Sequence, residues 1–310
     1  MSHKPPILIV GTGAMAGLFG GRLASYADVT FFGSWADGLE ALDQRGIQLQ
    51  ENGAATKFRV RATHDPSDCE GAMNALVLVK SWQTEAAADV LQRCLAPEGV
   101  ALTLQNGLGN IEVLEAAIGT ERAALGVTMS GATLLGPGSV RVGGAGPTYV
   151  APHPRLETLV DLLKRAGFEV RKDPNLVSLV WGKLAVNAGI NALTGLLEVR
   201  NGELLERPHA RLLMNAAASE TAQVAEAQNI ELPYKDPSQQ VERVATQTAE
   251  NESSMLQDVR RSVPTEVDAI NGAVVREGDR HGVPTPVNWT LWNLMRAKVD
   301  RHAEPMLEQG

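Results

Sequence analysis

The pattern of apolar and polar positions changes character partway along this chain. In the first half, apolar residues come in short unbroken runs: Ile7–Val10, Val29–Phe32, Ala75–Val79, Val100–Leu104 and Ala123–Thr128. Unbroken runs suit strands covered on both faces, as in a parallel sheet, whereas a half-exposed strand would alternate. Helical periodicity follows the first run, over Met15–Ser25, which makes the opening of a βαβ unit. Further on, Ser139–Val142 and Pro147–Ala151 are β-like runs joined by GGAG and read as an antiparallel hairpin. Leu156–Ala166 is helical and Phe168–Arg171 is a last strand. From Asn175 onward the pattern is almost wholly helical. Helices are predicted at about 175–194, 202–229, 237–248, 265–281 and 285–301, punctuated by Pro233, Pro237, Pro264, Pro284 and Pro286. Asp173-Pro174 ends the last strand, so the division is predicted there: 1–173 and 174–310.

The turn after the first run is GTGAMAG. Gly11 permits a tight turn, Gly13 lets backbone approach a pyrophosphate, and Ala16 takes the third small position, where helix packs on strand. The following helix would point free N–H groups and its positive dipole end at the phosphates. In this strand–turn–helix setting the pattern predicts an α/β fold, with a Rossmann-type dinucleotide-binding domain at 1–173 followed by an all-helical domain. The second strand ends in Gly33-Ser34-Trp35-Ala36-Asp37, with neither the carboxylate that grips a ribose 2′-hydroxyl nor the arginine that accepts a 2′-phosphate. Lys80 follows the Ala75–Val79 run, and Gln105-Asn106-Gly107-Leu108-Gly109-Asn110 follows Val100–Leu104. Both stretches fall at strand C-terminal ends, the edge where such sheets bind ligands. A solvated loop lysine and a plain NG turn fit the same residues.

In the helical half, Lys183, Asn187 and Asn191 are spaced four apart. On a helix this stacks three polar heads on one face, with Leu184, Val186, Ile190 and Leu193 around them. A lysine in such apolar surroundings loses hydration at a cost, and two carboxamides can solvate it or fix its ligand. A wet helix face fits the spacing equally well. Thr265 and Asp268 have the spacing of a helix N-cap and its acidic partner, which places Glu266 in a first turn. Ser254 reads as a cap or turn serine. No G-x-S-x-G or related histidine motif supports a nucleophilic triad.

Bulk properties narrow the classes. The 310 residues allow two domains, and 44% apolar with 21% charged residues is ordinary for a globular chain. A net charge of -8 argues against a nucleic-acid or anionic-membrane partner. MSHKPPILIV lacks the apolar core of a signal peptide, and no apolar run approaches the ~20 residues that span a bilayer. Cys69 and Cys94 suit reduced thiols of a cytoplasmic protein, and the six histidines lack ligand spacing, so no metal is predicted.

Taken together, GTGAMAG, VKSWQT (Val79–Thr84), LQNGLGN (Leu104–Asn110), WGKLAVNAGINALTGLLEVRNGEL (Trp181–Leu204), SSMLQDV and PTEVDAING (Ser253–Gly272) resemble the ketopantoate reductases, nearly end to end. The resemblance implies reduction of 2-dehydropantoate to pantoate, on the route to pantothenate and coenzyme A. It implies Lys183 as proton donor and Asn106, Asn187, Asn191, Asn201 and Ser254 at substrate-binding positions. It places Gly11, Thr12, Gly13, Ala14, Met15, Ala16, Ser34, Lys80, Asn106, Ala132 and Glu266 on the cofactor side. The family mostly uses NADPH, read partly by an arginine where this chain has Ser34, so NADH stays open. Glu266 would either offset charge at the nicotinamide or hold Lys183. The site is expected between the halves. The same fold acting on another 2-oxo acid, and a non-catalytic nucleotide sensor, are the alternatives. A helical second half rich in apolar positions is also compatible with a homodimer.

Overall fold

The computed structural model describes residues 4–300. Contacts divide the chain into two compact units. The first holds the residues up to Gln105 and Asn110–Leu176; the second holds Asn106–Gly109 and the chain from Val177 on. The division thus falls just past the predicted one, and a four-residue excursion, invisible in the pattern, joins the second unit.

The first unit runs β1 (Pro6–Val10), α1 (Ala14–Leu23), β2 (Asp28–Phe32), α2 (Ala36–Arg45), β3 (Ile47–Glu51), β4 (Ala54–Phe58), β5 (Arg61–Thr63), β6 (Ala72–Val77), α3 (Thr84–Cys94), β7 (Leu95–Thr103), α4 (Asn110–Ile118), β8 (Ala123–Thr128), β9 (Ala132–Gly136), β10 (Ser139–Val142), β11 (Thr148–Val150), α5 (Glu157–Arg165) and β12 (Val170–Lys172). Eight strands form one sheet in the order β12-β11-β8-β7-β6-β1-β2-β5. From β5 to β8 every pair is parallel; β11 is antiparallel to β8, and β12 runs parallel to β11. The unbroken apolar runs are its central strands: Ile7, Leu8, Ile9 and Val10 of β1 are all buried. This is the Rossmann-type half expected from the sequence.

A second sheet, β4-β3-β10-β9, packs on α1. Its closeness explains two glycines of that helix: a Cβ on Gly17 would lie 2.6 Å from Val140 Cγ2, and one on Gly21 would lie 3.0 Å from Leu49 Cδ1, while Gly20 lets the helix settle on Phe31 of the large sheet. The predicted hairpin between Ser139–Val142 and Pro147–Ala151 does not form. β10 pairs instead with β9 across the short Pro137-Gly138 turn, where Gly138 has φ +68°, and with β3. β11 joins the large sheet, so GGAG links two sheets and is no hairpin turn.

Among the described residues the second unit is all helical: α6 (Leu176–Leu197), α7 (Glu203–Glu206), α8 (Pro208–Ala227), α9 (Pro237–Gln247), α10 (Ser254–Arg260), α11 (Asn271–His281) and α12 (Pro286–Asp300). α6 is its spine. Trp181, Leu184, Ala188, Ile190 and Leu193 are buried in the helical core, and each fully buried leucine or isoleucine contributes about 1.5–3 kcal/mol. Among the described residues α6 alone is long and apolar enough to cross a membrane, contrary to the run-length reading, but two-thirds of its apolar window (67%) is buried within the protein. The predicted 202–229 helix breaks at Arg207, where Pro208 starts α8 with its fixed φ at the first helical position. The predicted 265–281 helix starts six residues late. Residues 265–270 form a turn instead, so Thr265 does not cap and Glu266 is not in a first helical turn. Asp268 accepts from Trp292 Nε1 at 2.7 Å, and the buried Thr265 hydroxyl has no partner.

Candidate active site

In the first unit the chemistry is carried by backbone. Gly11 has φ +125°, and its N–H donates to the Phe32 carbonyl at 2.8 Å. A Cβ there would press at 3.0 Å on the Leu78 carbonyl, so the fold itself demands glycine. Gly13 differs. Its φ is −81°, nothing lies within 4 Å of an added Cβ, and it is the N-cap of α1 without any side-chain cap bond. No acidic residue occupies the first turn of α1. An open cradle at an uncapped, positive helix end fits a pyrophosphate. Thr12 packs against Gly33, Ala14 and Met15 are half-buried, and Ala16 is fully buried where helix meets strand.

The neighbouring strand tips carry the other expected residues of this unit. Ser34 is exposed directly after β2, Trp35 is the N-cap of α2, and Asp37 lies in the first turn of α2. Lys80 is half-buried after β6, its N–H directed at Gln83 Oε1 at 3.4 Å. Ala132 opens β9 and packs on the core. One residue went unrecognised within LQNGLGN. Gln105 donates to the Val79 carbonyl at 3.1 Å and to Thr84 Oγ1 at 2.8 Å, fastening the loop after β6 to the end of β7. The sequence places Gln105 at a strand end with the rest of that stretch but gives it no role of its own.

In the second unit the chemistry is carried by side chains. Lys183 sits on α6 and is half-buried. Burial pushes its ammonium down from the usual lysine value of 10.5 to about 8, and the Glu266 carboxylate opposes part of that drop. Glu266 is itself buried, and Asn106 Nδ2 is 3.5 Å from its Oε2. The 106–109 excursion makes this meeting possible. Leu108 N–H donates to the Ala269 carbonyl at 3.0 Å, and Gly107, at φ +82°, lies so close that a Cβ would sit 2.3 Å from that oxygen. Pro233 and Tyr234, which the sequence did not single out, pack on α6 at Gly182. Pro233 packs on Gly182, and the Tyr234 hydroxyl donates to the Gly182 carbonyl at 2.7 Å.

Further along α6, Asn187 is half-buried. Asn191 is buried and donates to Ser254 Oγ at 3.4 Å. Ser254 is the first residue of α10; the capping serine is Ser253, whose Oγ accepts from Leu256 N–H at 3.0 Å. Asn201 is bonded elsewhere, donating to Thr248 Oγ1 at 2.9 Å, while its buried Oδ1 has no partner. Lys183, Glu266 and Asn106 are thus brought together, Asn191 is paired with Ser254, and Asn201 belongs by its bonds to the end of α9.

Comparison with known proteins follows the same division. The chain matches the family described as ketopantoate reductase PanE/ApbA over residues 7–155, and its C-terminal counterpart over residues 175–299. A 2-dehydropantoate 2-reductase of Archaeoglobus fulgidus is 37% identical over 94% of this chain and 96% of its own length. Among solved structures, a PanE/ApbA family ketopantoate reductase from Ralstonia eutropha JMP134 superposes with a TM-score of 0.90 at 30% identity, covering 96% of this chain and 100% of that one. D-mandelate dehydrogenase, solved as a ternary structure with NADH and anilino(oxo)acetate, superposes with a TM-score of 0.88 at 27% identity, covering 96% of this chain and 100% of that one. With a glycine cradle in one unit, a desolvated lysine beside a buried carboxylate in the other, and relatives aligned across both, the chain belongs to the ketopantoate reductase family.

Proposed function

We propose that this protein reduces 2-dehydropantoate to pantoate with a nicotinamide dinucleotide, and that Lys183 is the proton donor. The observation that carries the reading is the Lys183–Glu266–Asn106 cluster, assembled from three distant parts of one family-matched chain. When bound, the reduced nicotinamide supplies hydride to the 2-oxo carbon. The residues of this chain do the rest. The Gly11–Ala16 turn and the start of α1 hold the pyrophosphate, Lys80 and Ala132 lie on the cofactor side, and the Lys183 ammonium stabilises the carbonyl oxygen as it gains negative charge, then gives it a proton. A lysine at about 8 is a far better proton donor near neutral pH than one at 10.5. Glu266 keeps the amine charged despite its burial. Asn106, Asn187, Asn191 and Ser254 offer uncharged hydrogen bonds to the substrate's carboxylate and hydroxyl, and the unpartnered Oδ1 of Asn201 is an acceptor for a hydroxyl.

The finer choice of dinucleotide is read at the tip of β2. Ser34 is exposed, no cation lies between Gly33 and Asp37, and Asp37 adds negative charge. No cation here grips a 2′-phosphate and Asp37 opposes its charge, so NADH is favoured over the family's usual NADPH. Buried free thiols at Cys69 and Cys94 suit a reducing, cytoplasmic setting.

A second reading has support of its own. The structural neighbour solved with NADH is a D-mandelate dehydrogenase, so the same machinery serves another 2-oxo acid in that protein. Following dinucleotide oxidation with 2-dehydropantoate, benzoylformate and other 2-oxo acids, each with NADH and NADPH, separates these readings. The highest kcat/KM with 2-dehydropantoate supports the first. Turnover confined to other oxo acids replaces it with the second, and cofactor binding without turnover overturns both.

A further inference from the structure

One buried polar network of the second unit takes no direct part in the chemistry above. Glu220 on α8 is a buried carboxylate that accepts three hydrogen bonds, all from the first turn of α12: Val287 N–H at 2.9 Å, Asn288 N–H at 2.9 Å and Asn288 Nδ2 at 2.8 Å. A carboxylate there satisfies helix N–H groups that otherwise lack partners and meets the positive end of the dipole. Asn288 is fully buried; its amide also donates to the Ala217 carbonyl at 3.0 Å, which leaves Oδ1 as its free acceptor. That oxygen receives Asn271 Nδ2 at 3.0 Å, and Asn271 gives its second amide hydrogen to the Ala188 carbonyl of α6 at 3.1 Å. Asn271 donates at both ends of its link, and from Asn271 to Glu220 every bond runs the same way. Backbone carbonyls can only accept, so neither amide can be turned over without losing two bonds.

The strut ends where the candidate site begins. Asn271 is the first residue of α11, directly after the 265–270 turn that carries Glu266. Ala188 follows Asn187 on α6, the helix that carries Lys183 and Asn191. From the other side, the 106–109 segment bonds the same turn through Leu108 and Ala269. The Glu266 turn is thus held through Ala269 by Leu108 and through Asp268 by Trp292 and Arg276, and the Asn271 bond to Ala188 ties its end to the lysine's helix. Asn271 Oδ1 is buried without a partner, an unfavourable state that a packing residue would avoid and that a group kept for its two donations must accept.

We propose that Asn271 is a positioning residue: the strut from Glu220 through Asn288 fixes the Glu266 turn against α6 and so sets the geometry of the Lys183–Glu266 pair. The proposal rests on the reductase reading for its effect on turnover, but not for its effect on the lysine. The titratable group that bears on Lys183 is Glu266, from the turn.

The test uses Asn271→Ala and the milder Glu220→Gln in the full-length protein. Lys183 is titrated through its side-chain NMR resonance, identified by its loss in Lys183→Arg, and the pH profile of 2-oxo acid reduction is recorded alongside. Asn271→Ala is expected to lower kcat about 10–100-fold through misplacement of the pair, to leave the KM for dinucleotide unchanged, and to move the lysine titration to lower pH, as Glu266→Gln does. In a Glu266→Gln background the same change should add no further displacement, because the two act through one interaction. Glu220→Gln should show a smaller displacement of the same sign, and it decides the matter if Asn271→Ala fails to fold. A lysine titration at the parent position in the variants, or full additivity with Glu266→Gln, overturns the proposal even if thermal stability falls. If the parent reduces no 2-oxo acid, the reductase reading fails, while the NMR titration still decides the role of the strut.

Discussion

The candidate sites of the two units are made of opposite materials. Around Gly11 and Gly13 the first unit uses main chain: a left-handed backbone angle, an uncapped helix start and the absence of side chains. Its electrostatics come from peptide dipoles, which exist in any folded state and need no protonation. The second unit uses ionisable side chains removed from water, Lys183 and Glu266 above all. Such groups are costly to bury and are sensitive to pH and to each other. A backbone cradle suits a cofactor part common to many enzymes, whereas buried side chains suit the one step where charge develops and a proton moves.

That contrast is broken most severely at Lys183. Lys183→Ala is expected to lower kcat for 2-dehydropantoate about 10²–10⁴-fold, the usual worth of a general acid. The dissociation constant of the dinucleotide, read by fluorescence titration, should stay within about twofold, since a change below ~0.4 kcal/mol lies inside ordinary surface-substitution effects. A variant that turned over at the parent rate would remove the proton-donor assignment.

The pH dependence comes next. Reduction needs the charged lysine, so the rate should be level below about 8 and fall as pH rises through that value, and oxidation of pantoate should rise through it. Glu266→Gln removes the charge that supports the ammonium, so the falling limb should move to lower pH and kcat at neutral pH should drop roughly tenfold or more. The stability linkage has the opposite sense from an ordinary ion pair. The folded lysine titrates at about 8 and the unfolded one at 10.5, so between those values the unfolded chain binds more protons. This group's contribution to stability therefore rises with pH across that window and is unfavourable below it. Denaturant midpoints at pH 7.5 and 10 in parent and Lys183→Met should differ by an amount that shrinks at the higher pH. An unchanged difference would show that the amine titrates normally.

The backbone cradle is tested by two alanines with different expected consequences. Gly13→Ala places its Cβ in open space at an ordinary φ, so thermal stability should hold while dinucleotide affinity falls about tenfold, or ~1.4 kcal/mol. Gly11→Ala meets the Leu78 carbonyl at φ +125°, so it should cost stability itself, about 1–3 kcal/mol. Equal losses of stability in both would erase the distinction between a glycine the fold requires and one the ligand requires.

What could be read from sequence follows the same contrast. The glycine turn is local, because strand, turn and helix lie within a few residues and the steric reasons for each glycine are local too. The strands of the large sheet are unbroken apolar runs and were legible for that reason. The small sheet was legible only at β10, read as a β run with the wrong partner: the alternation of β3 (IQLQE) is short, β4 (AATKF) has no clear period, and β3 and β10 come from distant parts of the chain. In the second unit the Lys183–Asn187–Asn191 ladder was legible because helical spacing is local. The partner of the lysine was not. Asn106 and Glu266 are 160 residues apart in sequence, and Pro264-Thr265 looks like a helix start when it leads into a turn. Only the resemblance pointed to Glu266, and nothing pointed to the excursion that carries Asn106 into the helical unit.

The smallest expected effect concerns Ser34, where the first unit does rely on a side chain. The tip of β2 is exposed, so any charge placed there acts through water and is screened. Ser34→Arg should raise the ratio of kcat/KM for NADPH over NADH only about fivefold, or ~1 kcal/mol, the upper range for an exposed ion pair. The first-turn Asp37 sets part of that ceiling by competing for the guanidinium, so Ser34→Arg combined with Asp37→Asn should gain more than the single change. The gain should also weaken in high salt. A change in kcat rather than in the KM for NADPH would mean that the arginine disturbs the reacting end, and the tip of β2 would then not be where the dinucleotides are told apart.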